Sequence, residues 1–142
     1  MRFEIRPNVG VGNILYGMTK VQVEKMLNLP HKTFRRGSES VESEYYISIG
    51  LLAYYDDHGR LEAVEFARPA EPFLGGLDLL ALDLFEARAL FRASSGPVRD
   101  SVDGSTSKAL GLGVWAPNAK DDPRAALESV IAFGPGYYEQ YT

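Results

Sequence analysis

The side chains best suited to chemistry in this chain are Asp56, Asp57 and His58, adjacent groups in the run Asp56-Asp57-His58-Gly59-Arg60. Histidine titrates near neutrality and a neighbouring carboxylate can orient it, so this run is the local pattern able to support proton transfer in a hydrolase. His31 and the pair Asp121-Asp122 are the groups that folding would have to bring to it. The competing reading is conformational. Asp and Gly are what a hairpin turn requires, and a turn tip stands in water, whereas proton transfer needs a concave, partly dry setting. The turn is therefore the expected role of Asp56 to Arg60, and Asp122 before Pro123 has the same explanation. No catalytic residue is expected.

Other chemistries find less. A zinc site wants three or four converging ligands, and His31, after a helix-ending proline, and His58, in a turn, offer no local pattern that supplies them. Cysteine is absent, which removes thiol nucleophiles, thiolate ligands and disulfides together and agrees with a reducing compartment. Ser94, Ser95, Ser101, Ser105, Ser107 and Ser129 lack the strand-elbow-helix setting of an activated serine. Gly10, Gly12 and Gly17 match neither a Walker loop nor a dinucleotide fingerprint. The expectation is no metal and no cofactor.

Nineteen acidic against fifteen basic residues give a formal net charge of -4, which disfavours nonspecific nucleic-acid binding. The basic run His31-Lys32-Thr33-Phe34-Arg35-Arg36 is followed by Glu39, Glu42 and Glu44 and reads as a solvated loop. No apolar stretch is long enough for a transmembrane helix, and Met1 to Pro7 does not read as a signal peptide because no apolar region follows the charge. The expected location is cytoplasmic, with no membrane partner.

The aromatic residues point to binding. Eight tyrosines gather as Tyr45-Tyr46, Tyr54-Tyr55 and Tyr137-Tyr138-Tyr141, with Tyr16 apart. On a strand, adjacent side chains face opposite ways, so one of Tyr45 and Tyr46, and one of Tyr54 and Tyr55, should stand away from a helix-covered core. Tyrosine buries a large ring yet keeps a hydroxyl for a mixed surface, which suits protein interfaces. With Trp115, these seven form the candidate partner-binding set; the alternative is that they pack across the sheet and under the C-terminal segment.

The elements that must position these groups are announced by two similar stretches. In Gly17-Met18-Thr19-Lys20-Val21-Gln22-Val23, Thr19 is a helix cap and Gln22 its capping-box partner, Met18 and Val23 form a hydrophobic staple, and Pro30 stops the helix near Asn28. Val23, Met26 and Leu27 supply a short apolar stripe. Sixty-four residues later Asp83 and Glu86 repeat the cap, with Leu82 at the staple position and Leu90-Phe91 on the apolar face. Ile49 to Tyr55 is echoed by Leu110 to Trp115, and Leu61 to Val64 by Leu127 to Val130, in the same order. The expected architecture is one α+β domain over 1–142 with internal repeats at about 10–68 and 74–134. Each repeat contributes a helix and antiparallel strands to a shared sheet of about six strands, with helices on one face. Phe3 and Ile5 are expected in an opening edge strand or arm, Tyr45 to Ile49 and Leu51 to Tyr55 in strands with a turn or bulge at Gly50, and Lys108 to Trp115 in a single strand. In the last, Trp115 shares a face with Gly111 and Gly113, opposite Leu110, Leu112 and Val114.

The run Tyr16-Gly17-Met18-Thr19-x-x-x-Val23-x-x-x-Leu27-x-x-Pro30, followed by the Tyr54-Tyr55-Asp56-Asp57-x-Gly59-Arg60-Leu61 hairpin, resembles the small repeat shared by outer-membrane assembly lipoproteins of the SmpA type and the β-lactamase inhibitory protein. The resemblance covers most of residues 10–66 and is patchier over 76–133, where Ala81, Leu82 and Asp83 replace the Gly-Met-Thr start. It implies a helical layer before an antiparallel sheet whose free face holds a protein. Neither the lipobox cysteine of the lipoproteins nor the cysteine pairs of the inhibitor has a counterpart. The expected function is a non-enzymatic, immunity-like inhibitor that binds another protein, such as a toxin or an enzyme. The alternatives are a self-associating scaffold, which would be a homo-oligomer, and a hydrolase using the Asp/His hairpin.

Overall fold

Both helices begin where side chains satisfy the first free backbone N–H groups. The Gln22 N–H donates to Thr19 Oγ1 at 3.3 Å while the Thr19 N–H donates to Gln22 Oε1 at 2.9 Å. Asp83 and Glu86 make the same reciprocal pair at 2.8 and 3.0 Å. Asn28 ends the first helix in the left-handed conformation, φ 49°, its N–H bonded to the Glu24 carbonyl, just before Pro30. Of the expected apolar stripe on this helix, Val23 is fully buried and Leu27 partly, while Met26 is 46% exposed.

A computed structural model describes residues 1–37 and 41–137. In chain order the elements are β1 (Arg2–Arg6), β2 (Gly10–Val11), β3 (Ile14–Leu15), α1 (Lys20–Leu27), β4 (Lys32–Phe34), β5 (Ser43–Tyr46), β6 (Leu51–Tyr55), β7 (Leu61–Phe66), β8 (Glu71–Leu74) and β9 (Leu77–Asp78). There follow α2 (Leu84–Ala93), β10 (Val98–Asp100), β11 (Gly104–Ser107), β12 (Leu112–Trp115) and β13 (Ser129–Phe133). Short 3-10 turns cover Ile47–Ile49 and Leu79–Ala81.

These strands form two sheets rather than the expected shared sheet of about six: a five-stranded one ordered β3-β2-β1-β8-β9 and an eight-stranded one ordered β10-β11-β12-β13-β7-β6-β5-β4. The division into two sheets has local causes. Two-residue strands such as β2, β3 and β9 are too short to display alternation. The expected edge strand β1 is the centre of the smaller sheet, paired antiparallel with β2 and parallel with β8. The segment expected as one strand from Lys108 to Trp115 is broken by Gly111, φ +61°, so that Leu110 lies in the turn and only β12 remains. Likewise the Tyr45–Ile49 strand ends at Tyr46 and gives way to the 3-10 turn.

Within the larger sheet, β4 to β7 and β10 to β13 are two antiparallel four-stranded meanders, joined at the centre where Val64 and Phe66 of β7 pair with Ala132 and Val130 of β13. A helix precedes each meander, and the start of each is tied to the loop before a central strand. The Leu61 N–H donates to the Met18 carbonyl at 2.8 Å, and the Leu127 N–H to the Leu82 carbonyl at 3.1 Å. Isolated bridges Thr19 to Arg60 and Asp83 to Ala126 accompany them.

One apolar core lies between the inner face of the large sheet and the layer made by α1, α2 and the small sheet. It holds Val23 of α1, Leu84, Ala87 and Phe91 of α2, Phe3 and Ile5 of β1, and Leu51, Val64, Phe66, Leu112 and Val130 of the large sheet. A smaller cluster of Tyr54, Ala63 and Phe133 lies on the other face of that sheet. No helix among the described residues is long and apolar enough to cross a membrane.

Loss of either cap should therefore be measurable. Thr19→Ala and Asp83→Ala are each expected to cost about 0.5–2 kcal/mol. Asp83 should stand at the upper end, because it is buried and its other oxygen accepts an ion pair from Arg124 at 2.5 Å. Urea denaturation reads both values; unchanged midpoints would mean that the caps do not hold the helices.

Candidate functional site

The Asp56–Arg60 run forms the turn between β6 and β7. Asp56 Oδ1 accepts the His58 and Arg60 N–H groups at 2.9 and 3.0 Å, so this carboxylate closes the turn. Asp57, His58, Asp121 and Asp122 are exposed. His31 is not drawn to this turn; it lies against Glu24 and Glu44.

The tyrosines divide by strand alternation. Tyr46 and Tyr55 turn into the main core, and their hydroxyls donate to Glu44 Oε1 at 3.2 and 2.5 Å. Tyr45 and Tyr54 point to the opposite face, where Tyr54 is buried and donates to Glu65 Oε1 at 2.6 Å. Phe34 meets the Tyr54 ring edge-on at 6.3 Å, and the Arg36 guanidinium stacks over the same ring at 4.1 Å. Tyr137 stacks on Phe133 with ring centres 5.5 Å apart, and its hydroxyl accepts from Arg36 at 3.0 Å. Tyr138 and Tyr141 lie outside the described residues. Trp115 is 45% exposed, its indole N–H donating to Asp103 Oδ2 at 3.2 Å.

On this outer face the register sets one row across the strands: Arg99, Thr106, Gly113, Ile131, Glu65, Leu52, Tyr45 and Lys32. Gly113 presents no side chain to the row, and the gap lies between larger neighbours. A cavity of about 500 Å³ opens there, lined by Trp115, Ile131, Phe133 and Tyr137, with Arg99 and Glu65 supplying opposite charges. Trp115 and Tyr137 thus line one cavity, while Tyr46 and Tyr55 are buried in the main core on the opposite face. Arg99, Glu65, Ile131 and Phe133 are the residues that sequence reasoning missed. For Ile131 and Phe133 the signal is the alternation of β13, in which Ser129, Ile131 and Phe133 share the face opposite Val130 and Ala132.

A second polar group of residues lies on the inner side. Glu44 is 1% exposed, and burial holds its carboxyl above the usual carboxylate range, with the adjacent Glu24 adding to the effect. The same burial, with the Glu44 carboxylate beside them, raises the hydroxyls of Tyr46 and Tyr55. A carboxyl that holds its proton more tightly folded than unfolded contributes stability at low pH and loses it as pH rises from the unfolded value through the folded one. Glu44→Gln cannot lose that proton. In buffer containing a chelator, its stability relative to the parent chain is expected to increase as pH rises above the ordinary carboxylate range, by at most about 1.4 kcal/mol per pH unit. A difference that stays flat or shrinks with rising pH would contradict this.

Comparison of the chain with protein-family models, with curated proteins and with solved structures finds no match.

Proposed function

We propose that this chain is a non-enzymatic, cytoplasmic protein-binding module of the immunity-like inhibitor kind, which receives side chains of another protein on the outer face of its eight-stranded sheet. The observation that carries the reading is Trp115, the only tryptophan of the chain, half exposed beside the cavity that Ile131, Phe133 and Tyr137 complete. An exposed tryptophan beside an apolar cavity costs free energy that a covering partner recovers, and Trp, Tyr and Arg are the types that dominate binding energy at protein interfaces. Arg99 and Glu65 give the cavity a charged rim that fixes register. The formal charge of -4 favours a basic partner, steering encounter more than it adds affinity.

The test is comparative capture from the source cells with the parent chain, Trp115→Ala and Ile131→Asp. Neither side chain belongs to the main core, so circular dichroism should show all three folded alike. The expected result is a defined protein retained by the parent chain and lost, or weakened by about 1.4 kcal/mol per tenfold, in both variants. A partner retained equally by Ile131→Asp would move the interface elsewhere, and no specific partner would count against binding. A second copy of the chain as the captured species would support the scaffold reading, which light scattering over a concentration series measures directly.

A further inference from the structure

Glu24, His31 and Glu44 come from three separate segments: α1, the link between α1 and β4, and β5. His31 Nε2 lies 3.3 Å from Glu44 Oε2 and 3.5 Å from Glu24 Oε1. One ligating atom from each of the three lies within 4.8 Å of the other two. Ligands held tetrahedrally at zinc's distance of about 2.0–2.1 Å stand about 3.3–3.4 Å from one another, so both distances from His31 are close to edges of such a tetrahedron.

The orientation of Glu44 is the second observation. Its side chain is buried, and Oε1 is occupied by the hydroxyls of Tyr46 and Tyr55. Oε2 has no hydrogen-bond partner even though the His31 nitrogen is close by. The two atoms thus lie at ion-pair distance with no hydrogen bond formed between them. A carboxylate held through one oxygen by neighbouring hydroxyls while it offers the other is the arrangement that outer-shell groups impose on a metal ligand. The His31 ring is fixed in turn by Tyr46, with ring centres 4.9 Å apart.

We propose that Glu24 Oε1, His31 Nε2 and Glu44 Oε2 form a binding site for one divalent transition-metal ion, with zinc the best fit. Two carboxylates and one neutral imidazole balance the charge of the ion, and imidazole selects zinc, cobalt or nickel over magnesium and calcium. The side chains of His31 and Glu24 are 24% and 38% exposed, so solvent reaches the fourth position and a bound water can complete the tetrahedron. The ion would tie α1, which buries only Val23, to the outer strands of the large sheet.

The experiment uses the full chain freed of metal with a chelator and then dialysed, titrated with zinc by calorimetry and with cobalt(II) by visible absorption. One equivalent should bind, cobalt should give the intense visible bands of a low-coordinate site, and zinc should raise the melting temperature. His31→Ala should weaken binding by at least about 100-fold, and Tyr55→Phe, which removes one hydroxyl from Glu44 Oε1, by about 10–100-fold. His58→Ala is the control for adventitious binding at the exposed histidine and should change nothing. Absence of saturable binding, or binding lost in His58→Ala and kept in His31→Ala, would overturn the site. Because His31 is partly exposed, its replacement leaves the core intact, and the conservative Tyr55→Phe keeps the ring that the core uses.

Discussion

Phe66→Ala is expected to lower the stability of the chain by about 3–5 kcal/mol, a large part of the 5–15 kcal/mol that holds a domain together. Phe66 is fully buried on β7, where it pairs with Leu51 on one side and Val130 on the other. Its ring centre lies 5.3 Å from that of Phe3 on β1, tilted by 42°. This side chain therefore joins the two meanders to each other and the large sheet to the small one. Truncation removes the transfer free energy of a ring and leaves a cavity that three rigid strands cannot close. Urea denaturation should show a lower midpoint with an unchanged slope. A loss below about 1 kcal/mol would mean that the two sheets do not share this core.

Gly50→Ala is expected to cost about 2–5 kcal/mol, from a left-handed backbone and a steric overlap acting together. Gly50 sits at φ +67°, ending the 3-10 turn before β6, and a β-carbon there would fall 2.1 Å from the Ala67 carbonyl oxygen. That oxygen belongs to the backbone, so no rotamer change relieves the contact. Movement is resisted because the Ala67 N–H donates to the Gly50 carbonyl at 2.9 Å. Gly59→Ala provides the comparison: it also has positive φ, +74°, but nothing lies within 4 Å of the added carbon. Gly59→Ala should cost only about 1–2 kcal/mol. Equal losses in the two variants would assign the whole effect to backbone conformation and none to the approach of Ala67.

What the sequence made legible was local. Both capping boxes are written within four residues, and the Asp56–Gly59 turn is announced by residues that its own hydrogen bonds require. Pairing between distant segments was not legible: β1 meets β8 in parallel, and neither Arg2–Arg6 nor Glu71–Leu74 carries a mark of the other. Alternation shows that one tyrosine of each pair must face outward. It does not say which, because that depends on which face the helices cover, and here Tyr46 and Tyr55 turn inward.

Glu44 is the instructive case at the sites. Placed by the sequence just before the strand expected from Tyr45, it is instead part of β5 and shares the inward face with Tyr46. Its position two residues before a core tyrosine was the available signal. A carboxylate in that register is buried unless the strand starts later, and a buried carboxylate needs partners. Glu24 and His31 carried no such mark, since their meeting with Glu44 depends on how the link after α1 crosses to β4. Gly113 shows the same limit on the outer face. A small residue in β12 signals open space, but only the register with Ile131 and Thr106 places that space in a row of larger side chains.

The most direct measurement of the binding reading follows from the chain having one tryptophan. The chain labelled with 5-fluorotryptophan should give a single fluorine resonance, from Trp115 beside the outer-face cavity. Titration with the captured partner is predicted to shift that resonance and to shield it from a soluble paramagnetic quencher, with saturation at the same concentration as binding measured independently. A resonance that keeps its position and its accessibility while the partner is bound would contradict the proposal that the outer face of the eight-stranded sheet is the interface.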